Sequence, residues 1–177
     1  ILGRYEITGE LGRGAMGTVY RARDPLIERE VAVKTLHASL PEDVVKEVRE
    51  RFLREAKSAG RLNHPNIVTV YDVGEHEGTA DMAMELLEGQ ALQAIMRKGR
   101  LSALQIANLV AQVADALDEA REYNIVHRDV KPANIMVNSA GRAKLTDFGV
   151  AYVPSAAMTH TGTARGSRKD MSPEQGP

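Results

Sequence analysis

Residues 11–19 read Leu11-Gly12-Arg13-Gly14-Ala15-Met16-Gly17-Thr18-Val19, and the run after the last glycine restricts the fold more than any other feature of the chain. GxGxxG spacing alone is shared by many glycine-rich turns, including those of dinucleotide-binding folds. Such folds require a helix immediately after the last glycine, so that its N-terminal N–H groups face the pyrophosphate. Here the next residues are Thr18-Val19-Tyr20-Arg21-Ala22, a β-branched and aromatic run that favours a strand. The glycines therefore sit on a strand–turn–strand hairpin, and a dinucleotide-binding oxidoreductase is rejected. A hairpin of this kind can lie over phosphates like a flap, because glycine has no Cβ to hold backbone N–H groups away.

Strand patterning continues through Tyr5-Glu6-Ile7 before the loop and Glu30-Val31-Ala32-Val33-Lys34 after it. Lys34 is directed inward on its strand, which is costly for an ammonium without a partner. The partner is expected from the segment 42–59, where Val44, Val48, Phe52 and Ala56 step at helical intervals and Glu55 is the best-placed carboxylate. His64-Pro65-Asn66 ends that pattern, and residues 67–71 with residues 82–85 read as a strand pair. The character changes after Glu88-Gly89. Residues 91–98 form a short helix, and Ser102 with Gln105 gives a capping box for a long one. Ile106, Leu109, Val110, Val113 and Leu117 form its apolar face, and Asn124 stops it. Short strands at 135–137 and 143–145 flank a Ser139-Ala140-Gly141 turn, and the sequence beyond Phe148 reads as loop.

Two clusters on these loops carry chemistry. His127-Arg128-Asp129-Val130-Lys131-Pro132-Ala133-Asn134 precedes the first short strand, and Asp147-Phe148-Gly149 comes after the second. Singly, each residue has a bland reading: a solvated Asp, a surface Lys, a turn Asn. Together, in this order and with Ser172-Pro173-Glu174 downstream, they resemble the catalytic loop, metal-binding turn and activation-segment end of protein kinases. The resemblance runs from Tyr5 to Glu174 without a large gap. Its flavour is that of bacterial serine/threonine kinases of the eukaryotic-like type, carried by Leu62-Asn63-His64-Pro65-Asn66-Ile67-Val68 and Met84-Glu85-Leu86-Leu87-Glu88-Gly89.

The resemblance implies an α+β, two-lobed fold. Residues 1–88 would be an ATP-binding lobe with hinge, an antiparallel sheet with one helix. Residues 89–177 would be a mainly helical, incomplete second lobe carrying the catalytic loop and activation segment. It further implies that Lys34 holds the α- and β-phosphates of ATP with Glu55 orienting it, and that Asn134 and Asp147 hold magnesium, with manganese as a substitute. Asp129 would accept the substrate hydroxyl's proton, and Lys131 would steady the γ-phosphate, a lysine typical of serine/threonine kinases. The nucleotide would lie against Leu11, Gly12, Gly14 and Gly17, with adenine between Val19, Ala32 and Met136. Met84 would guard the back of the pocket, and Glu85 and Leu87 would offer backbone to the ring. Arg128 before the catalytic Asp implies control by loop phosphorylation, with Thr159, Thr161 and Thr163 as acceptors and autophosphorylation as their source.

The sequence departs from that pattern in places. Relatives read Gly-Thr-Pro-x-Tyr-Met-x-Pro-Glu near the end of the activation segment. This chain reads Gly166-Ser167-Arg168-Lys169-Asp170-Met171-Ser172-Pro173-Glu174 instead, and Asp81 stands where a strand usually has an apolar residue. The kinase pattern also continues into further helices beyond residue 177, so the long helix is expected to present apolar surface and to promote self-association. An ATP-binding but weak or inactive pseudokinase module is the alternative function, and a small-molecule phosphotransferase of kinase-like fold is a third. A formal charge of −1 over 177 residues gives no reason to expect nucleic acid or an anionic membrane. Without cysteine there is no disulfide or thiolate metal site, and no apolar run is long enough to span a bilayer. A cytoplasmic protein, or the cytoplasmic domain of a longer membrane kinase, acting on Ser or Thr of a protein substrate, is the expected setting.

Overall fold

The computed structural model describes residues 1–14, 17–36, 42–76 and 78–148, with the backbone alone for residues 42–47. Thr159, Thr161, Thr163 and the segment 166–174 lie outside them. Strands β1 (Glu6–Arg13), β2 (Gly17–Asp24) and β3 (Arg29–Leu36) lead into helix α1 (Glu42–Ala59), followed by β4 (Val70–His76) and β5 (Thr79–Glu85). These strands make one antiparallel sheet of order β1-β2-β3-β5-β4. Alternate side chains of a strand point to opposite faces, and β3 is buried on both: Val31 and Val33 join Tyr5, Ala22 and Ala83, whereas Ala32 joins Met82, Met84, Phe52 and Ala56. The second of these cores lies beneath α1, where Phe52 and Ala56 are 2% and 0% exposed.

An N-terminal strap seals the other core. The buried Tyr5 donates its hydroxyl to Asp72 at 3.1 Å, and Arg4 reaches Asp72 at 2.7 Å and the buried Asp24 at 3.3 Å. Burial, reinforced by the negative charge of Asp72, pushes the Tyr5 phenol up to about 12.

The expected strand at 67–71 is shifted. β4 begins only at Val70, and Ile67 instead makes a parallel bridge to Leu145, with Val68 N–H donating to the Leu145 carbonyl at 3.0 Å. Side-chain alternation explains the detour: Ile67 is buried in the core around the later strands, while its neighbour Val68 is buried in the core beneath α1. The segment is thus a crossing point between the two halves of the molecule.

After Gly89 come β6 (Gln90–Ala91), α2 (Leu92–Lys98), α3 (Ala103–Glu122), a 3-10 turn (Pro132–Asn134), β7 (Ile135–Val137) and β8 (Ala143–Leu145). β6, which sequence patterning does not reveal, pairs antiparallel with β7, which pairs in turn with β8. Gly89 is required where this small sheet starts: its φ is +122°, and a Cβ there would stand 2.2 Å from the Val137 carbonyl oxygen. The capping box on α3 forms as expected, Gln105 N–H donating to Ser102 Oγ at 3.2 Å and Ser102 N–H to Gln105 Oε1 at 2.8 Å. Asn124, at φ +58°, lies just past its end. The expected apolar face divides. Leu109, Val113 and Leu117 pack inward with Ala116 and Ala120, whereas Ile106 and Val110 are 49% and 61% exposed beside Leu104 at 80%.

Candidate active site

The hairpin of β1 and β2 pairs Gly12 with Val19 and Arg13 with Thr18, with a bulge between Glu10 and Gly12, and Gly14 N–H donates to the Gly17 carbonyl at 2.9 Å. A Cβ on Gly17 would lie 1.8 Å from the Thr35 carbonyl oxygen, so only glycine lets the loop return this close to β3. Gly12, by contrast, has no atom within 4 Å of an added Cβ, and Gly14 has only a backbone oxygen at 3.9 Å. These two glycines border open space of the kind a phosphate cradle needs, and Leu11 beside them is half exposed. Beneath the hairpin, Val19, Ala32, Met84 and Leu87 belong to one apolar cluster, with Ala32 directly opposite Met84 in the β3–β5 register. Met136 lies on β7, opposite Ala91.

The catalytic loop is built around a buried histidine. His127, 2% exposed, donates from Nε2 to the Thr146 carbonyl at 2.7 Å and accepts at Nδ1 from the Asp129 N–H at 3.2 Å. Only the neutral Nε2–H tautomer satisfies both contacts, and burial holds the ring's pKa below the ordinary histidine value. The ring tilts against Phe148 at 4.6 Å between centroids. This fixes Asp129 relative to the strand end that carries Asp147.

Asp129 is held on several sides. Lys131 Nζ donates to its Oδ2 at 2.7 Å, and Asn134 Nδ2 donates to its carbonyl at 2.9 Å and to Oδ2 at 3.0 Å. Asn134 is in turn tied to Thr146, whose N–H and hydroxyl both donate to the Asn134 carbonyl, at 2.9 and 3.1 Å. Arg128 and Asp147 have φ of +65° and +60°, a left-handed conformation that costs a side-chain-bearing residue on the order of 1 kcal/mol or more. The surrounding hydrogen bonds impose it. Asn134 spends its amide protons on Asp129, so its amide oxygen is the atom it could offer a cation. Carboxamide and carboxylate oxygens such as those of Asn134 and Asp147 are donors of the type a hard cation takes.

The structure differs from expectation at the lysine. Lys34, 13% exposed, pairs with Asp147 Oδ1 at 2.5 Å rather than with Glu55. Glu55 instead accepts from Arg51 Nε at 2.9 Å, one turn earlier on α1. Its Oε2 is buried without a hydrogen-bond partner among the described residues. The i,i+4 spacing makes Arg51 the local competitor for Glu55, which position counting from Lys34 could not reveal. Two further contacts carry no signal in the sequence pattern. The buried Asp81 is matched by His76 Nδ1 at 2.6 Å, which accounts for a carboxylate on an apolar strand. Lys144 of β8 pairs with Glu85 at 2.8 Å.

Two packed halves, a glycine hairpin above an apolar cluster and an Asp–Lys–Asn cluster close in sequence to a second Asp make up the candidate site. The family model described as "Protein kinase domain" matches residues 5–175, and the chain belongs to that family. It is 42% identical over 177 residues to serine/threonine-protein kinase PrkC of Bacillus subtilis, covering 99% of this chain and 27% of the relative. It is also 42% identical over 183 residues to the probable serine/threonine-protein kinase PknB of Corynebacterium glutamicum, covering 99% and 28%. The chain thus spans about a quarter of the length of these relatives. A crystal structure of the Mycobacterium tuberculosis PknI kinase domain superposes with TM-score 0.74 at 37% identity, covering 86% of this chain and 62% of that one. The two-lobed kinase fold is therefore that of this chain, with the N-terminal sheet and single helix as expected. Among the described residues, no helix is long and apolar enough to cross a membrane.

Proposed function

We propose that this chain is the nucleotide-binding and catalytic part of a serine/threonine protein kinase, transferring the γ-phosphate of ATP to Ser or Thr hydroxyls. In this reading residues 1–88 are its nucleotide lobe with hinge and residues 89–177 part of its C-terminal lobe, with the catalytic loop and activation segment. The observation that carries this reading is the triple grip on Asp129 by Lys131 and Asn134, joined through Thr146 to the Lys34–Asp147 pair. Asp129 is held ready to accept the proton of an incoming hydroxyl as its oxygen bonds to the γ-phosphorus and the bond to the β-phosphate oxygen breaks. Lys131 meets the charge of the transferring group, and Lys34 meets that of the α- and β-phosphates. Asn134 and Asp147 would hold magnesium, which when bound neutralises charge shared between the phosphates. Leu11, Val19, Ala32 and Met136 enclose adenine, Met84 closes the back, and the backbone of Glu85 and Leu87 meets the ring edge.

The relatives' names support Ser/Thr specificity, and Lys131 fits it. The test is transfer of labelled phosphate from ATP with magnesium to the chain itself and to a generic basic protein, with Asp129→Asn as control. Label that appears with the native chain and vanishes with the variant is expected. Binding of ATP without any label would favour the pseudokinase reading, in which the same cleft holds nucleotide without transfer.

A further inference from the structure

The ion pair between Lys144 and Glu85 has no role in phosphate transfer itself, yet it joins the two ends of the nucleotide site. Lys144 lies on β8, three residues before Asp147, and Glu85 is the last residue of β5. Lys144 Nζ donates to Glu85 Oε2 at 2.8 Å and to the Ile67 carbonyl at 3.3 Å. Glu85 Oε2 also accepts the Thr69 N–H at 3.3 Å, and Glu85 N–H donates to the Thr69 carbonyl at 2.9 Å. One ammonium therefore touches both the crossing segment and the residue that opens the hinge. The two side chains are 25% and 27% exposed, so the contact is more shielded than an ordinary surface pair.

We propose that Lys144 is a positioning residue for the nucleotide, setting the hinge backbone at Glu85 at a fixed separation from the metal-binding end of β8. The inference rests on the ATP reading. ATP is gripped by its base at one end and by its phosphates at the other, so the two grips must stand at a matching distance. A misplacement of an ångström at either end weakens the complex. The short run of chain from Lys144 to Asp147, which leaves β8 at Leu145, is anchored at the phosphate end by the Thr146–Asn134 bonds and at the hinge end by this ion pair. Without Lys144, the carboxylate of Glu85 keeps, among the described residues, only the longer bond from Thr69, and the hinge is free to shift along β8.

The test compares ATP and GTP binding, with magnesium, to the native chain and to Lys144→Met, Lys144→Arg, Glu85→Gln and the double variant Lys144→Met/Glu85→Gln. Methionine keeps most of the stem volume without the charge. The ratio of the two affinities is the readout, because partial unfolding lowers both by the same fraction and leaves the ratio unchanged. A displaced hinge alters the base contacts and so moves the ratio. The preference for ATP is expected to fall about fivefold to tenfold in Lys144→Met and in Glu85→Gln, and no further in the double variant. Lys144→Arg should stay within about twofold of native, since the charge and donors are kept. Native-like preference in Lys144→Met, or additive losses in the double variant, would overturn the inference alone. A native chain that does not prefer ATP would overturn it together with the ATP reading.

Discussion

Replacing Asn134 by aspartate exchanges, at nearly constant shape, an amide that donates two protons for a carboxylate that donates none. Asn134 is 7% exposed, and both of its donations end on Asp129, at 2.9 Å on the carbonyl and 3.0 Å on Oδ2. Losing them removes one neutral hydrogen bond and one to a charged group, together about 2 kcal/mol net. The new carboxylate then faces that of Asp129 across the same short gap. At an effective dielectric of about 20, two unit charges at such separations repel by about 4 kcal/mol. Lys131 on the same oxygen and the one-third exposure of Asp129 reduce this to about half. Asn134→Asp should therefore destabilise the fold by about 4 kcal/mol at pH 8, against about 2 kcal/mol for Asn134→Ala. Urea unfolding of the three proteins measures both figures. Part of the excess in the aspartate variant should vanish at pH 5, where the crowded pair takes up a proton. Equal losses for the two variants at pH 8, or an excess that does not shrink on acidification, would refute the electrostatic reasoning.

Other consequences of the geometry are equally open to measurement. Glu55→Gln should change stability by less than about 1 kcal/mol, since among the described residues the Arg51 contact is the one weakened, yet lower phosphate transfer at least tenfold if catalysis requires Glu55 to move onto Lys34. Undiminished transfer would instead make the Lys34–Asp147 pair the working arrangement. Because burial lowers the pKa of His127 from 6.5, the unfolded chain takes up a proton there before the folded one does. The stabilisation from its neutral form is thus complete above about pH 6.5 and is lost as the pH falls from there toward the lowered folded value. In His127→Phe, urea midpoints should lose this part of the acid sensitivity, and an unchanged slope between pH 6.5 and 5 would count against a buried neutral ring. Leu104 and Val110, 80% and 61% exposed on α3, should drive self-association. Leu104→Glu with Val110→Lys should leave the urea midpoint unchanged and lower the apparent mass in light scattering at high concentration, while a native chain that scatters as a monomer would contradict the expectation.

The features legible in the sequence were those that depend on short-range pattern. The hairpin was legible from β-branched residues after Gly17, and the α3 start from the Ser102–Gln105 spacing, because each is settled by residues a few positions apart. The grouping of Asp129, Lys131 and Asn134 was legible for the same reason, all three lying within one turn of chain. Lys34 does take a carboxylate partner, but the one expected from the sequence, Glu55, is not the one it meets. Two candidates compete for it, Glu55 on α1 and Asp147 after β8, and the outcome depends on how far α1 sits from β3 and on the rival claim of Arg51.

The misplaced start of β4 has a related cause and shows how much local pattern leaves undecided. Five consecutive residues from Ile67 to Tyr71 are all acceptable in a strand, and nothing within the run says that its first members pair with β8 rather than β5. That choice is made by Leu145, nearly eighty positions away, whose N–H donates to Asn66 at 2.8 Å and whose carbonyl accepts from Val68. The same crossing segment then receives Lys144 at Ile67 and Glu85 at Thr69. A stretch that has, as sequence, the plainest of strand patterns is therefore the place where the end of β5 and β8 are tied together. Because its hydrogen bonds run to both halves, substitutions that disturb residues 66–69 should alter nucleotide affinity even though none of these side chains belongs to the cluster around Asp129.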